Sequence, residues 1–389
     1  MKIRILLILL FGLLFQYGCT KSSPTEDQEP LDPNKEEEKL KVFKEDESMG
    51  AVKVMTRNVY VGTDVDVILN ADPNNIAEIP GYVKQAFDVM ESTNFTVRAN
   101  ALADEIAKTL PHVIGLQEMS NTFTQPNSDF LFGNNIIASD PLYNFEEILM
   151  AALDSRGLDY TVAASIENAN IELPMLTGLT NPPLRDVRLV DHDMILVRND
   201  VSYSNPLAVR YDSMLVVEPK YGIFVPRGYV KVNIDVGQTS FVFANTHLEA
   251  FNVDNLRMDQ ATQLISDLSA ENLPVILVGD FNSRADGSGT VYNYVTGQGY
   301  TDAWLENTLT YNENGYTFGH QADLRNETPN FFERIDFIFT KSMSTLQYGE
   351  GFVLGDEARD KTPEGLWPSD HGGVVFKLIF PVPTKLAVN

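Results

Sequence analysis

Cysteine is almost absent from this chain, whose 389 residues contain only Cys19. A single cysteine cannot form a disulfide within the chain. Because Cys19 lies close to the amino terminus, a metal site built from cysteines is also excluded from the part of the chain that folds.

Positive charge is scarce as well. The sequence has 29 lysines and arginines against 54 aspartates and glutamates, so its formal net charge is −25. This balance argues against a broad basic surface for nucleic acid. An anionic substrate would need local compensation, most simply from a divalent cation. The 43% of hydrophobic residues nevertheless allow a substantial core, in one large domain or two smaller ones.

Long apolar runs are missing except near the amino terminus. Residues 5–15 are apolar but too short to span a bilayer comfortably, and two basic residues precede them. With Gly18 and Cys19, the start resembles a bacterial lipoprotein signal, residues 1–19, in which Cys19 is lipidated and becomes the mature amino terminus. Gln16 departs from the usual small or aliphatic residue, and a plain secretory signal is the alternative. Both readings predict export, and the first predicts a membrane-anchored protein of the cell envelope.

The next segment, residues 20–50, is polar and acidic. It contains ten acidic residues and five lysines between Thr20 and Met49. Such a composition buries too little apolar surface to offset the entropy of ordering, so we predict a flexible tether. The folded domain is then predicted to be residues 51–389.

Within that domain, apolar strands alternate with amphipathic helices. We predict strands at 52–55, 112–118, 160–164, 194–198, 228–236, 240–244, 275–278, 334–339 and 374–380, and helices at 64–70, 81–90, 97–110, 144–157, 257–268 and 291–296. Residues 119–142 and 173–183 are predicted loops, and the first is a candidate for substrate selectivity.

The stretch Leu273–Ser283, LPVILVGDFNS, carries the clearest chemistry. Its apolar residues predict a buried strand that ends at Gly279. The alternation of side chains along a strand places Asp280 and Asn282 on one side, where the sheet opens into loops. Taken alone, these residues are also typical of a turn.

Polar groups flank other predicted strands too. Three strands end in Asn58, Gln117-Glu118 and Asn245-Thr246-His247, and Ser369-Asp370-His371 leads into the last strand. Asp336 lies inside the apolar strand Arg334-Ile335-Asp336-Phe337-Ile338-Phe339. An inward-facing carboxylate there is costly unless it is paired, and a histidine is the obvious type of partner.

Taken in order, these motifs resemble the endonuclease/exonuclease/phosphatase superfamily, over about residues 52–381. The resemblance implies a four-layered α/β sandwich, with two mostly antiparallel sheets packed face to face, helices outside and the site at one rim. The long 119–142 segment and the acidic balance depart from the pattern, so they leave the substrate open.

The resemblance also assigns roles. Asn58 and Glu118 would form the main divalent-metal region, with Glu118 the direct ligand, and Asp370 would support a second metal. Mg²⁺ or Mn²⁺ suits such oxygen ligands. Asp280 would position or deprotonate the attacking water, and Asn282 would hold the phosphate or orient Asp280.

The two histidines complete the implied site. His371 would donate to a phosphoryl oxygen, with Asp336 fixing its tautomer and keeping it cationic. His247 would contact the phosphate from the other side or assist the leaving group, with Asp191 or Asp193 as its acidic partner. The metal and two imidazoles would together neutralise the transition state.

We therefore predict a metal-dependent phosphoric ester hydrolase that acts as a monomer. A small or lipid-linked phosphodiester is the expected substrate class, because the acidity of the chain disfavours broad binding of nucleic acid. Two alternatives stay open: an exported nuclease with the same fold, and a binding lipoprotein that kept the fold without catalysis.

Overall fold

The computed structural model of this chain describes residues 33–46, 50–69, 77–133, 136–178, 183–218, 223–250, 253–308, 314–343 and 345–380. The predicted signal, 1–19, lies outside these residues, as does the tether up to residue 32. Within the described part, the α-helices are α1 (Pro33–Glu45), α2 (Asp66–Leu69), α3 (Ile79–Ser92), α4 (Phe95–Thr109), α5 (Phe145–Asp154), α6 (Asp254–Leu268) and α7 (Thr290–Gly297). Among the described residues, no helix combines the length and apolarity needed to cross a membrane.

Eight strands form the first sheet. They are β1 (Ala51–Asn58), β2 (Val113–Gln117), β3 (Asn121–Gln125), β4 (Asp140–Asn144), β5 (Tyr160–Leu176), β6 (Leu184–Arg198), β15 (Gln347–Leu354) and β16 (Gly373–Ile379). Their order is β15-β16-β1-β2-β6-β3-β4, with β5 also paired to β6. Among the described strands of this sheet, only β1 and β2 pair in parallel.

Six strands form the second sheet. They are β7 (Ser202–Arg210), β10 (Gly228–Val236), β11 (Thr239–His247), β12 (Val275–Asp280), β13 (Thr301–Asp302) and β14 (Asp336–Lys341), in the order β13-β14-β12-β11-β10-β7. Here β11 and β12 are the parallel pair. A separate ribbon pairs β8 (Leu215–Glu218) with β9 (Ile223–Val225).

Three hydrophobic cores arrange these elements in four layers. The inner core lies between the sheets and joins residues such as Val54 and Phe376 to Val232 and Ile276. A second core packs α4 and α5 on the outside of the first sheet. A third packs α6 and α7 on the second sheet. The predicted four-layered α/β sandwich is confirmed.

Polar side chains join the two sheets just below one rim. Gln117 donates to Asn245 Oδ1 at 2.6 Å, and Asn245 in turn donates to the Leu116 carbonyl at 2.9 Å. Gly115 makes room for this contact, since a Cβ there would lie 2.6 Å from both Asn245 Oδ1 and Val278. The carboxyl ends of β1, β2, β11 and β12 therefore meet at the same rim.

The prediction of a flexible tether is wrong for the part that the structure describes. Residues 33–45 form α1, and its Leu40 and Phe43 are buried in the core beside α4. Lys53 donates from β1 to the Lys44 carbonyl at 2.7 Å, and its ammonium group lies 5.7 Å from the Phe43 ring centroid. Two apolar side chains three residues apart and the contacts of Lys53 therefore hold this charged helix on the domain.

The prediction of loops at 119–142 and 173–183 is also wrong in part. The first segment contains β3 and β4, which extend the first sheet beyond β6. Residues 173–176 and 184–187 continue β5 and β6 as one long hairpin. Both strands run well past the rim, where Leu173 and Met175 pack against α3 in a small separate core.

Candidate active site

Asp280 ends β12 at this rim and lies at the centre of the site. Gly279, before it, has φ +143°, and a Cβ there would lie 1.9 Å from the Thr246 carbonyl oxygen, so this position requires glycine. Asp280 Oδ1 accepts the backbone N–H of Asn282 at 2.9 Å, and Oδ2 accepts the Asn58 side-chain amide at 3.2 Å. Both oxygens of this buried carboxylate are thereby oriented.

Asn282 shapes the turn that follows. It has a positive φ of +47°, and its side-chain amide donates to the Leu248 carbonyl at 3.0 Å. The amide therefore holds the turn after β12 against the end of β11. The contact of Asn282 with Asp280 comes from its backbone N–H rather than from its side chain, so both roles that the resemblance implied for Asn282 stay predictions.

The environment of Asp280 tunes its protonation. Burial and the facing Asp336 carboxylate raise the pKa of Asp280 to about 7, although His371 acts in the opposite direction. A carboxyl group with this pKa exchanges its proton near neutral pH, which is the property required of a general base.

His371 approaches Asp280 from the side of β14. Its Nδ1 donates to Asp336 Oδ2 at 2.9 Å, and its Nε2 lies 3.7 Å from Asp280 Oδ2. Thr317 also donates to Asp336 Oδ2 at 2.6 Å and accepts the Asp336 backbone N–H at 3.2 Å. The predicted contact between Asp336 and His371 is confirmed, while their chemical role stays a prediction.

The carboxylates around His371 set its charge. Burial alone would lower the pKa of His371, but the carboxylates of Asp336, Asp280 and Asp370 raise it to about 10. The imidazolium form therefore persists at neutral pH. With Nδ1 held by Asp336, the Nε2 proton is directed into the site.

His247 ends β11 and approaches Asp280 from the opposite side. Its Nε2 lies 3.6 Å from Asp280 Oδ2, and its Nδ1 accepts from the Arg227 guanidinium at 3.0 Å. Burial and Arg227 hold the pKa of His247 well below its ordinary value. Because an arginine can only donate, Nδ1 carries no proton and the neutral ring carries its proton on Nε2.

This arrangement corrects one prediction about His247. The expected acidic partner is not the group on its ring: Asp191 and Asp193 have oxygens within 4.8 Å of a ring nitrogen, but Arg227 makes the hydrogen bond. Asp191 lies 3.6 Å from Arg227 and so acts on the histidine through it. The His247 ring is neutral, so the positive side chains around Asp280 are His371 and Arg227.

Asn58 and Glu118 lie together beside Asp280. The Asn58 amide donates to Glu118 Oε1 at 2.9 Å, and the backbone N–H of Val61 donates to Oε2 at 2.6 Å. Glu118 has φ +61°, a conformation that costs energy for a residue with a Cβ. The strained turn after β2 directs this half-buried carboxylate toward the rim.

Asp370 adds a second half-buried carboxylate to this region. Burial and the nearby charge of Glu118 raise the pKa of Asp370 to about 7, although His371 acts in the opposite direction. Two neighbouring carboxylates that repel each other, next to an amide, form an oxygen-rich donor set. Such a set fits a hard divalent cation such as Mg²⁺ or Mn²⁺.

Sequence reasoning missed Arg227 and Thr317. A signal for Arg227 existed, since it directly precedes β10, whose antiparallel register with β11 pairs Tyr229 with Thr246 and so brings residue 227 to His247. Thr317 had no such signal, because it lies in an irregular stretch connected to β14 only through tertiary contacts.

Comparison with known proteins agrees with this geometry. An endonuclease/exonuclease/phosphatase family protein from Leptotrichia buccalis has a similar fold, with a TM-score of 0.51 and 18% identity over 85% of this chain and 100% of that one. A mannosyl-6-phosphatase of Bacteroides thetaiotaomicron has a TM-score of 0.50 and 18% identity over the same shares. At this identity the likeness concerns the fold alone. Comparison with curated protein sequences gave no match.

The assignment of the chain to a family rests on its sequence. The model of the Endonuclease/Exonuclease/phosphatase family matches residues 89–371, which include the Glu118, His247, Asp280, Asp336 and His371 positions. The chain belongs to the Endonuclease/Exonuclease/phosphatase family.

Proposed function

We propose that the protein is a divalent-metal-dependent phosphoesterase that hydrolyses a small or lipid-linked phosphodiester by means of an oriented water. One observation supports this most strongly. Three donors surround the same oxygen of Asp280: the Asn58 amide at 3.2 Å, His247 Nε2 at 3.6 Å and His371 Nε2 at 3.7 Å. The histidine distances exceed those of hydrogen bonds, and both rings direct protons into the space beside the carboxylate.

The residues of the chain divide the chemistry among them. The Asp280 carboxylate would accept the proton of an attacking water. His371, charged and held by Asp336, would donate from Nε2 to a non-bridging phosphoryl oxygen, and neutral His247 would donate from the other side. A bound Mg²⁺ or Mn²⁺, held by Glu118 with Asn58 and Asp370 beside it, would supply further neutralisation of phosphoryl charge.

The substrate class rests on charge. The net charge of −25 opposes long polyanions, whereas one or two phosphate groups need only the local charges of the site. The mannosyl-6-phosphatase among the structural relatives acts, by its name, on a small phosphate ester. A small or lipid-linked substrate is therefore our proposal over nucleic acid.

A substrate screen tests this proposal. The purified protein would be incubated with sphingomyelin, inositol phosphates, mannose 6-phosphate, plasmid DNA and RNA, each with Mg²⁺ and with a chelator. We expect Mg²⁺-dependent release from a small or lipid-linked ester. Cleavage of DNA or RNA alone would establish the nuclease instead, and no hydrolysis of any phosphate ester would favour a binding lipoprotein.

Replacing Glu118 should weaken metal binding and lower turnover. In Glu118→Gln we expect the Mg²⁺ concentration for half-maximal activity to rise at least tenfold and turnover to fall by about a hundredfold, because a neutral amide is a weak ligand. Mg²⁺ titrations of activity on the best substrate measure both effects. Glu147→Gln, an exposed first-turn residue of α5, is the matched control. Equal activity of Glu118→Gln and wild type at limiting Mg²⁺ would exclude Glu118 as the ligand.

The proposed location is the cell envelope, with the monomeric protein anchored to a membrane through lipid on Cys19. Cys19→Ser should move the exported protein from the membrane fraction to the soluble fraction, because acyl chains supply the anchoring energy. Fractionation and labelling with a palmitate analogue check this result. Label that persists in Cys19→Ser would contradict it, and an unlabelled wild type would leave the secretory signal as the explanation.

A further inference from the structure

Arg98, in the first turns of α4, is fully buried, and its guanidinium binds backbone rather than carboxylates. Among the described residues its hydrogen bonds go to four carbonyl oxygens: Thr93 at 2.9 Å, Val59 at 2.7 Å, Tyr60 at 3.0 Å and Pro368 at 2.9 Å. These carbonyls belong to three segments that are far apart in sequence. One side chain thus links the turn after β1, the turn before α4 and the turn before β16.

Two of these segments present groups of the candidate site. The turn after β1 carries Asn58, whose Oδ1 accepts the Tyr60 N–H at 3.0 Å, and Val61, which donates to Glu118 Oε2 at 2.6 Å. The turn before β16 continues from Pro368 into Asp370 and His371. Arg98 therefore contacts the backbone on both sides of the oxygen ligands without touching the ligands themselves.

The third segment strengthens the link. Thr93 donates from its hydroxyl to the Gly62 carbonyl at 2.8 Å, next to Val61. The Arg98 guanidinium also lies 5.0 Å from the Phe95 ring centroid and 5.6 Å from that of Tyr60. These two ring contacts and the four hydrogen bonds together fix the orientation of the guanidinium.

We propose that Arg98 is a positioning residue for the divalent cation. By holding the turns at 59–61 and 368–370 in place, it keeps Glu118, Asn58 and Asp370 facing one another at ligand spacing. This inference rests on the proposed metal-dependent function. In this inference the Arg98 guanidinium is a cation within the protein that holds the mutually repelling carboxylates of Glu118 and Asp370 near each other before metal binds.

The chemistry of arginine explains why another cation does not replace it. A guanidinium offers five N–H donors in a plane and can bind several carbonyls at once. A lysine ammonium concentrates three donors at one point and cannot reach all four carbonyls from the same place. Burial lowers the pKa of Arg98 to about 10, while Asp370 and Glu118 favour its charged form, so the charge persists at neutral pH.

Metal binding itself provides the test. Full-length, metal-free wild type, Arg98→Lys and Arg198→Lys would be titrated with Mn²⁺ and followed by electron paramagnetic resonance. Arg198 is the matched control, because it donates to the Leu110 carbonyl at 2.9 Å at the opposite end of the first sheet. We expect the Mn²⁺ dissociation constant to rise about tenfold to a hundredfold in Arg98→Lys and to stay unchanged in Arg198→Lys. At saturating Mn²⁺, kcat of Arg98→Lys should return to within a few-fold of wild type.

Each outcome has one meaning. Equal Mn²⁺ affinity in Arg98→Lys and wild type would overturn the inference and leave the proposed function intact. Wild type that binds no Mn²⁺ or Mg²⁺ would overturn the metal-dependent function, and the inference with it. If Arg98→Lys does not fold, Arg98→Ala supplemented with millimolar guanidinium takes its place in the titration. Failure of guanidinium to restore the Mn²⁺ affinity of Arg98→Ala would contradict the role of Arg98.

Discussion

Asp280→Asn should lower kcat/KM by about a thousandfold, within the upper half of the usual range for loss of a general base. The substitution keeps the shape of the side chain, so the hydrogen bond from the Asn282 backbone to the Oδ1 position can persist. What it removes is the group that can accept a proton from water. Steady-state kinetics on the best substrate, at saturating Mg²⁺, measures the loss.

The pH profile separates this role from simple misfolding. With the pKa of Asp280 at about 7, its carboxylate form is lost as pH falls through 7, so kcat/KM should decrease on the acid side. The profile is measured at saturating Mg²⁺, where protonation of Asp370 does not limit metal binding. On the alkaline side, kcat/KM should decrease near pH 10 as His371 loses its proton. The residual activity of Asp280→Asn should lack the acid limb. A variant that keeps that limb, or keeps wild-type activity, would show that another group accepts the proton.

Asp336→Asn and His371→Ala should each cost about a hundredfold in kcat/KM, the usual scale for a lost electrostatic donor. Both remove the same charged imidazolium, since the hydrogen bond of 2.9 Å to Asp336 orients the ring and raises its pKa. The double variant should therefore lose far less than the product of the two single losses. Kinetics on all four proteins at saturating Mg²⁺ completes the cycle.

Thr317→Val offers a matched control for that cycle. Thr317 donates to the same oxygen of Asp336 but does not contact His371 through its hydroxyl. We expect a smaller loss from Thr317→Val, because the ion pair of Asp336 and His371 remains. Thermal melting of each variant would show whether the loss comes from folding. Strictly multiplicative effects of Asp336→Asn and His371→Ala would show that the two residues act independently.

A partner for Asp336 was predictable because a carboxylate inside an apolar strand needs one, and the family resemblance identified that partner as His371. The residue that hydrogen-bonds to the His247 ring, Arg227, was not predictable from sequence, even though the strand that carries His247 was predicted. Arg227 lies outside every polar strand end that the sequence pointed to, and only the register of β10 on β11 brings it to the ring. Whether a carboxylate or a guanidinium lies 3.0 Å from His247 Nδ1 is therefore determined by the tertiary structure.

The same limit applies to the segments on either side of the site. The layered fold follows from apolar strands and amphipathic helices, which periodicity reveals. β3 has no such pattern: only Thr122 of its five residues is buried, and its pairing with β6 holds it in the sheet. Arg98 was likewise one polar residue of a predicted helix, because nothing local shows that its neighbours would be four carbonyl oxygens.

Helix α1 determines at which residue a truncated recombinant version of this protein should begin. Phe43 packs edge-on against Phe352 with 5.3 Å between ring centroids, and Lys377 donates to Asp46 at 2.8 Å. An expression plasmid that starts at β1 would remove this cover and leave Phe352 of the first sheet against solvent, an apolar surface that favours aggregation. Recombinant versions for crystallisation or assay should therefore begin ahead of Pro33, so that the helix is made with the domain.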